Sequence, residues 1–173
     1  PFSHGKRLTY VKADIARARN IRELLFGPAK DLGVQVVVHL AQCADARAKG
    51  RRVHRENVEA LRAILDLSDR HPSIRRVVLK SYAVVYRVSL DLPILVTEDH
   101  PLNLSPNAPQ YIRDRVEADL SACARMGLMD AKVVVLRCAE ALEEGTGSQL
   151  YDLINAPAAL RPAGFDPMVN VAT

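Results

Sequence analysis

Ile74-Arg75-Arg76-Val77-Val78-Leu79-Lys80-Ser81-Tyr82-Ala83-Val84-Val85-Tyr86 decides how the rest of the chain is read. Val77-Val78-Leu79 is a short apolar run, β-branched at two of three positions and preceded by the turn-like His71-Pro72-Ser73. Such a run predicts a buried strand rather than a helix. Hydroxyls begin where the apolar residues stop, at Ser81, Tyr82 and Tyr86. An open parallel sheet binds its ligands beyond the carboxyl ends of its strands, so chemistry is expected at these positions. The competing reading is an ordinary strand that passes into a polar loop.

Upstream, residues from Arg52 to Arg70 place Val53, Val58, Leu61, Ile64, Leu65 and Leu67 largely on one side, which predicts a long amphipathic helix. Before it, Val34 to Leu40 is almost wholly apolar and β-branched, the composition of a strand covered on both faces, and it finishes in His39-Leu40-Ala41. Nearer the start, Leu8 to Ala13 alternates and predicts a short strand ending at Asp14. Asn20 to Phe26 has helical spacing at Ile21, Leu24 and Leu25, with Gly27-Pro28 as its stop.

On the other side, Asp91 to Gln110 reads as a loop because Pro93, Pro101, Pro106 and Pro109 exclude regular structure. A helix is predicted from Tyr111 through Met126, stopped by Gly127, and then a fully buried strand from Lys132 to Arg137. Gly145 and Gly147 punctuate, Ser148 to Ile154 predicts a short helix with Ser148 as its N-cap, Pro157 to Pro167 reads as irregular, and Met168 to Ala172 as a final strand. Strands and helices alternate with connections long enough for right-handed crossovers. That pattern predicts one layered α/β domain over residues 1–173 with a mainly parallel sheet.

Composition narrows the function. The 173 residues are 49% hydrophobic and 25% charged, a globular profile with material for one core. No window approaches the ~20 apolar residues of a membrane span, and the first residues have no apolar signal-peptide core. Cys43, Cys123 and Cys138 are odd in number, far apart and outside any Cys-x-x-Cys. Buried thiols in a reducing cytoplasm are therefore expected, with no metal site. The net charge of +4 is mild, and the absence of Trp argues against a nucleic-acid stacking surface. Arg51-Arg52 and Arg75-Arg76 read as solvated charge. Glu143-Glu144 reads as a solvated loop pair, His39 as a structural histidine, and His54, His71 and His100 as surface residues.

Several motifs fall in the order of one family. They are Asp14-Ile15 after a strand, Val36-Val37-Val38-His39-Leu40-Ala41, Asn57-Val58, the 77–86 stretch, Tyr111-x-x-x-Arg115 with Glu117, Val133 to Arg137, and Gly164-Phe165-Asp166-Pro167. The chain resembles the extended short-chain dehydrogenase/reductases, the NAD-dependent epimerase/dehydratase group. The resemblance implies a Rossmann-like, doubly wound sheet, a bound NAD or NADP, and oxidoreductase, epimerase or dehydratase chemistry on a nucleotide-sugar or related hydroxylated substrate. By matching position it implies Tyr111 as general base, Asp14 and Ile15 as adenine-side contacts, Leu40 and Ala41 along the cofactor, Asn57 as a buried contact near it, and Cys138 in the nicotinamide pocket. A homodimer through the helix that starts at Tyr111 is a further expectation from relatives.

Three departures shape that expectation. Arg115 stands where the family has lysine, and a planar guanidinium is not an ammonium. Tyr82 stands at the Ser/Thr position with Ser81 beside it, and Arg87 replaces the usual Gly. No Gly-x-x-Gly-x-x-Gly loop occurs, and Leu8 to Ala13 already looks like the family's third strand. The sheet is thus expected to be incomplete and residues 1–173 part of a longer chain. Against these roles stand plainer ones: Tyr111 as a packed helix-start residue, Arg115 as a solvent-facing arginine paired with Asp119 or Tyr111, and Asp14 as a turn cap. The alternative for the whole chain is a catalytically impaired homologue that acts as a nucleotide-binding or protein-interaction module.

Overall fold

The computed structural model describes residues 8–93, 95–141, 149–158 and 171–172. At its centre, β1 (Val36–His39), β2 (Arg76–Tyr82) and β3 (Lys132–Cys138) form a parallel sheet in the order β1-β2-β3. The register sets Val37, Val77 and Val133 side by side, and two residues on His39, Leu79 and Val135. Side chains alternate across a strand, so these positions share one face with Ser81 and Arg137.

Helices cover that face. Helix α1 (Ala18–Leu24) kinks at Gly27, and Pro28 opens a further turn that ends at Gly33 with φ 63°. Gly27-Pro28 therefore bends the helix instead of stopping it, because proline is tolerated in a first turn, where its missing N–H is not needed. Helix α2 (Arg51–His54) runs through a wide π-type turn, Arg55–Glu59, into α3 (Ala60–Asp69). Helix α4 spans Gln110–Cys123. Ile21, Leu25, Leu61, Ile64, Leu65, Ala118 and Ala122 pack on Val77 and Leu79 to make the core. A smaller cluster of Val85, Tyr86 and Val116 ties the loop after β2 to α4.

Several sequence expectations change. Residues 8–13 form no strand, and Tyr10 is 78% exposed. Among the described residues β1 pairs only with β2, and residues 8–13 take part in no ladder. The strands at 34–40 and 132–137 are not covered on both faces. Val38 is 55% and Leu136 50% exposed, because every described helix that packs on the sheet does so from one side. His71 and His100 are buried, not superficial. His71 Nε2 donates to the Leu25 carbonyl at 2.9 Å while its Nδ1 accepts from the Ser73 and Ile74 amides, which fastens the β2 approach to α1. Of the last predicted strand, the described residues form β5 (Val171–Ala172), parallel to β4 (Glu140–Ala141), while Met168 to Asn170 lie outside the described residues, and α5 covers Gln149–Ile154. Ser148, Glu143-Glu144, Gly145, Gly147 and Gly164 to Pro167 lie outside the described residues.

Candidate functional site

Three segments meet at the carboxyl edge of the sheet: the loop after β1, the end of β2 and the start of α4. Their meeting point is Arg115. Its guanidinium carbon sits 3.7 Å from the Tyr111 ring centroid and 4.4 Å from that of Tyr82, so the cation lies against two phenol rings. Its Nη2 donates to the Cys43 carbonyl at 3.2 Å and its Nη1 to the Tyr111 carbonyl at 3.4 Å. Arg115 is only 2% exposed. A solvent-facing arginine is thereby excluded, although one contact does run back to Tyr111. The pairing with Asp119 does not occur.

The loop itself is held by Asn57. The wide turn at Arg55–Glu59 carries Asn57 inward, and its Oδ1 accepts the Cys43 amide at 2.8 Å. Such turns insert one residue into a helix and re-aim a side chain, which is why they recur at functional sites. Asn57 Nδ2 reaches Asp114 at 3.4 Å, and Asp114 also accepts from His54 Nδ1 at 2.9 Å and Gln110 Nε2 at 3.2 Å. Gln110 clamps Gly50 through both its amide ends, at 2.9 and 3.1 Å. Gly50 takes φ 102° there, a conformation open to glycine, and so joins the starts of α2 and α4.

Ser81 and Tyr82 part company because adjacent strand residues face opposite sides. Ser81 Oγ donates to Asp119 at 2.5 Å on the helix side. Asp119, fully buried, also accepts Arg137 Nε at 3.0 Å and Nη2 at 2.7 Å. Arg137 continues to the Tyr86 hydroxyl and the Glu98 carbonyl, both at 3.1 Å. The Asp119 carboxylate on its fork raises the Arg137 pKa above its already high ordinary value. Tyr82, on the other side, stands next to Cys138 in the β2–β3 register. The structure thus brings Tyr111, Arg115 and Tyr82 together, with Cys138 alongside, and directs Ser81 into a separate buried network.

Of the cofactor-side positions, Leu40 and Ala41 are exposed just past β1. Asp14 is exposed, accepts the Ala16 amide and pairs with Arg17 at 3.5 Å; it lines an open cavity of about 340 Å³ with Asn20 and Glu23. Ile15 packs against the core. His54, Asp114 and Glu117 have potential ligand atoms within 4.8 Å of one another. Each already has a protein partner, since Glu117 pairs with Arg62 at 2.8 Å. Burial holds the His39 imidazole down to about 4, so it is neutral at pH 7.

Asp114, Asp119, Arg137 and Cys43 had no site role from sequence. A signal for two of them exists: Asp114 and Asp119 fall at helical spacing with Ala118 and Ala122, the inward face of α4. Arg137 and Cys43 act through long-range partners, for which sequence spacing carries no signal.

No protein-family model matches the chain, and no protein of curated function matches it by sequence. Solved structures do share its fold. A dTDP-glucose 4,6-dehydratase from Bacillus anthracis, in complex with NAD, superposes with a TM-score of 0.59 at 27% identity over 76% of this chain and 37% of its own. A short-chain dehydrogenase/reductase superfamily protein from Agrobacterium tumefaciens with bound NAD gives 0.58 at 25% identity, over 77% and 40%. A UDP-glucuronic acid 4-epimerase from Bacillus cereus, also in complex with NAD, gives 0.59 at 20% identity, over 80% and 40%. The parallel sheet with its flanking helices is therefore Rossmann-like, as in NAD-dependent epimerase/dehydratase and short-chain dehydrogenase/reductase structures. The chain spans about two fifths of the length of these proteins. Among the described residues no helix is long and apolar enough to cross a membrane.

Proposed function

We propose that residues 1–173 form one Rossmann-like unit of a longer epimerase/dehydratase-like oxidoreductase that binds NAD or NADP and a hydroxylated, nucleotide-sugar-type substrate. One observation carries this reading: a permanent cation, Arg115, is fixed against the ring of Tyr111 at the carboxyl edge of the sheet. An ordinary phenol has a pKa near ~10, and a neighbouring cation is what a tyrosine needs to work as a base at neutral pH.

The residues at that edge fit a dinucleotide. Leu40 and Ala41 offer an exposed apolar lip beyond β1, Asp14 an exposed carboxylate on the preceding segment, and Cys138 and Tyr82 a shared side at the ends of β3 and β2. When bound, the nicotinamide supplies the hydride acceptor. Tyr111 takes the proton from the substrate hydroxyl, Arg115 provides the positive charge beside it, and Asn57 holds the loop through Cys43. The outer face of α4, where Leu120 and Arg113 line a groove of about 480 Å³ with Arg62, is where a second copy would pack.

Isothermal titration with NAD, followed by turnover of UDP-glucose in wild type and Tyr111→Phe, tests this. Micromolar NAD binding in both proteins with turnover lost only in Tyr111→Phe is the expected result; no NAD binding by the full-length protein would sink the proposal. A second reading, the impaired homologue kept as a nucleotide-binding or interaction module, is favoured by Ser81 being committed to Asp119. NAD binding without any turnover in wild type would select it.

A further inference from the structure

Arg115 is a buried cation short of an anion. Among the described residues no carboxylate pairs with it. Among the described residues its hydrogen bonds go to main-chain carbonyls at 3.2 and 3.4 Å, and its buried Nε has no hydrogen-bond partner. Two ring faces offset only part of the cost of taking an ion out of water. The buried acids of α4 are engaged elsewhere, Asp114 with His54, Asn57 and Gln110, and Asp119 with Ser81 and Arg137. A second cation adds to the imbalance: Lys80 Nζ lies 5.2 Å from the Tyr82 centroid and has no acidic partner among the described residues.

We propose that Arg115 and Lys80 form a subsite for an anionic group on the ligand, a carboxylate or a phosphate, with Tyr82 as its cover. The Nε–Nη2 edge of a guanidinium presents two donors in a fork that matches such a group. Arg137 uses that same edge on Asp119, at 3.0 and 2.7 Å. On Arg115 the Nε is unpartnered and Nη2 holds only a long bond, so the fork is delivered once the half-exposed Tyr82 ring rotates away. Lys80, two residues before Tyr82 on the same face of β2, then adds a point charge to the group. This deepens the function proposed above and rests on its placing of the ligand at the carboxyl edge.

The test is calorimetric titration of the full-length protein with glucuronate, inorganic phosphate and, as the uncharged control, glucose, beside a separate NAD titration. Wild type, Lys80→Met, Tyr82→Ala and Arg115→Met are compared, with thermal melts to confirm folding. Glucuronate or phosphate should bind where glucose does not, and the tighter of the two names the anion's class. Lys80→Met should weaken binding several-fold, Tyr82→Ala should strengthen it, and Arg115→Met should reduce it by ~10-fold or more, the loss of one charge-assisted fork. If Arg115→Met does not fold, Lys80→Met and Tyr82→Ala decide. Glucuronate and phosphate no better than glucose, or binding unchanged in Lys80→Met and Tyr82→Ala, would overturn the subsite even with NAD binding intact. Anion binding that survives while NAD fails to bind would instead overturn the oxidoreductase reading alone.

Discussion

Replacing Asp119 by alanine should unfold this protein more readily than any surface change. Asp119 is fully buried, accepts a two-pronged fork from Arg137 at 3.0 and 2.7 Å, and takes the Ser81 hydroxyl at 2.5 Å. Removing one partner of a buried ion pair costs ~3–5 kcal/mol, mostly because the other charge is stranded. Arg137 keeps its bonds to the Tyr86 hydroxyl and the Glu98 carbonyl, and its side chain is 19% exposed, so the lower end applies. The expected loss is about 3 kcal/mol, with the stranded Ser81 hydroxyl included because such terms do not add. Urea unfolding followed by circular dichroism, with a slope of ~2 kcal/mol/M, should show the midpoint falling by about 1.5 M at unchanged slope. Arg137→Met in the Asp119→Ala background removes the stranded charge and should recover part of the loss. A single-mutant cost below ~1 kcal/mol, or a double mutant as unstable as the summed singles, would refute the claim that this pair anchors α4 to β3.

The remaining predictions use the same unfolding assay or turnover. His39 stays neutral in the fold down to about pH 4, while the unfolded chain takes up that proton near ~6.5. Its contribution is therefore complete above the unfolded value and lost as pH falls through this window, about 3 kcal/mol in all. In His39→Leu that component of the pH dependence should vanish, and an unchanged profile would acquit His39. If Arg115 is the mechanistic cation, Arg115→Lys should retain or raise turnover and Arg115→Met should abolish it. Equal activity in all three versions removes Arg115 from the mechanism.

Much of the fold was legible because it follows from local pattern. The helices at Arg52 to Arg70 and Tyr111 to Met126 appear within a few residues of their predicted bounds, since their apolar spacing has one low-energy solution on a sheet. The strand at β2 is equally local, because β-branched residues between a turn and a hydroxyl cluster suit a buried ladder. Cover is different. Val36, Val38 and Leu136 look buried from their chemistry and are exposed, because cover comes from a layer that no property of the strand specifies. Residues 8–13 have strand composition without a strand partner, and pairing is a long-range fact.

The site divides along the same line. The order of motifs located Tyr111, Arg115 and Tyr82 near one another, since each is tied to the end of a predicted element. Which way each side chain turns was decided by tertiary structure. Ser81 and Tyr82 are neighbours in sequence, yet the pleat sends one hydroxyl to Asp119 and the other ring to Arg115. The α/β layering and the parallel sheet were already written in the order of apolar runs and amphipathic stretches, because hydrophobic period is a local consequence of residue type. That Arg115 lies buried between two phenols and that Asp119 belongs to Arg137 follow from packing instead, because the dielectric and the partners of a charge depend on what the whole chain packs around it.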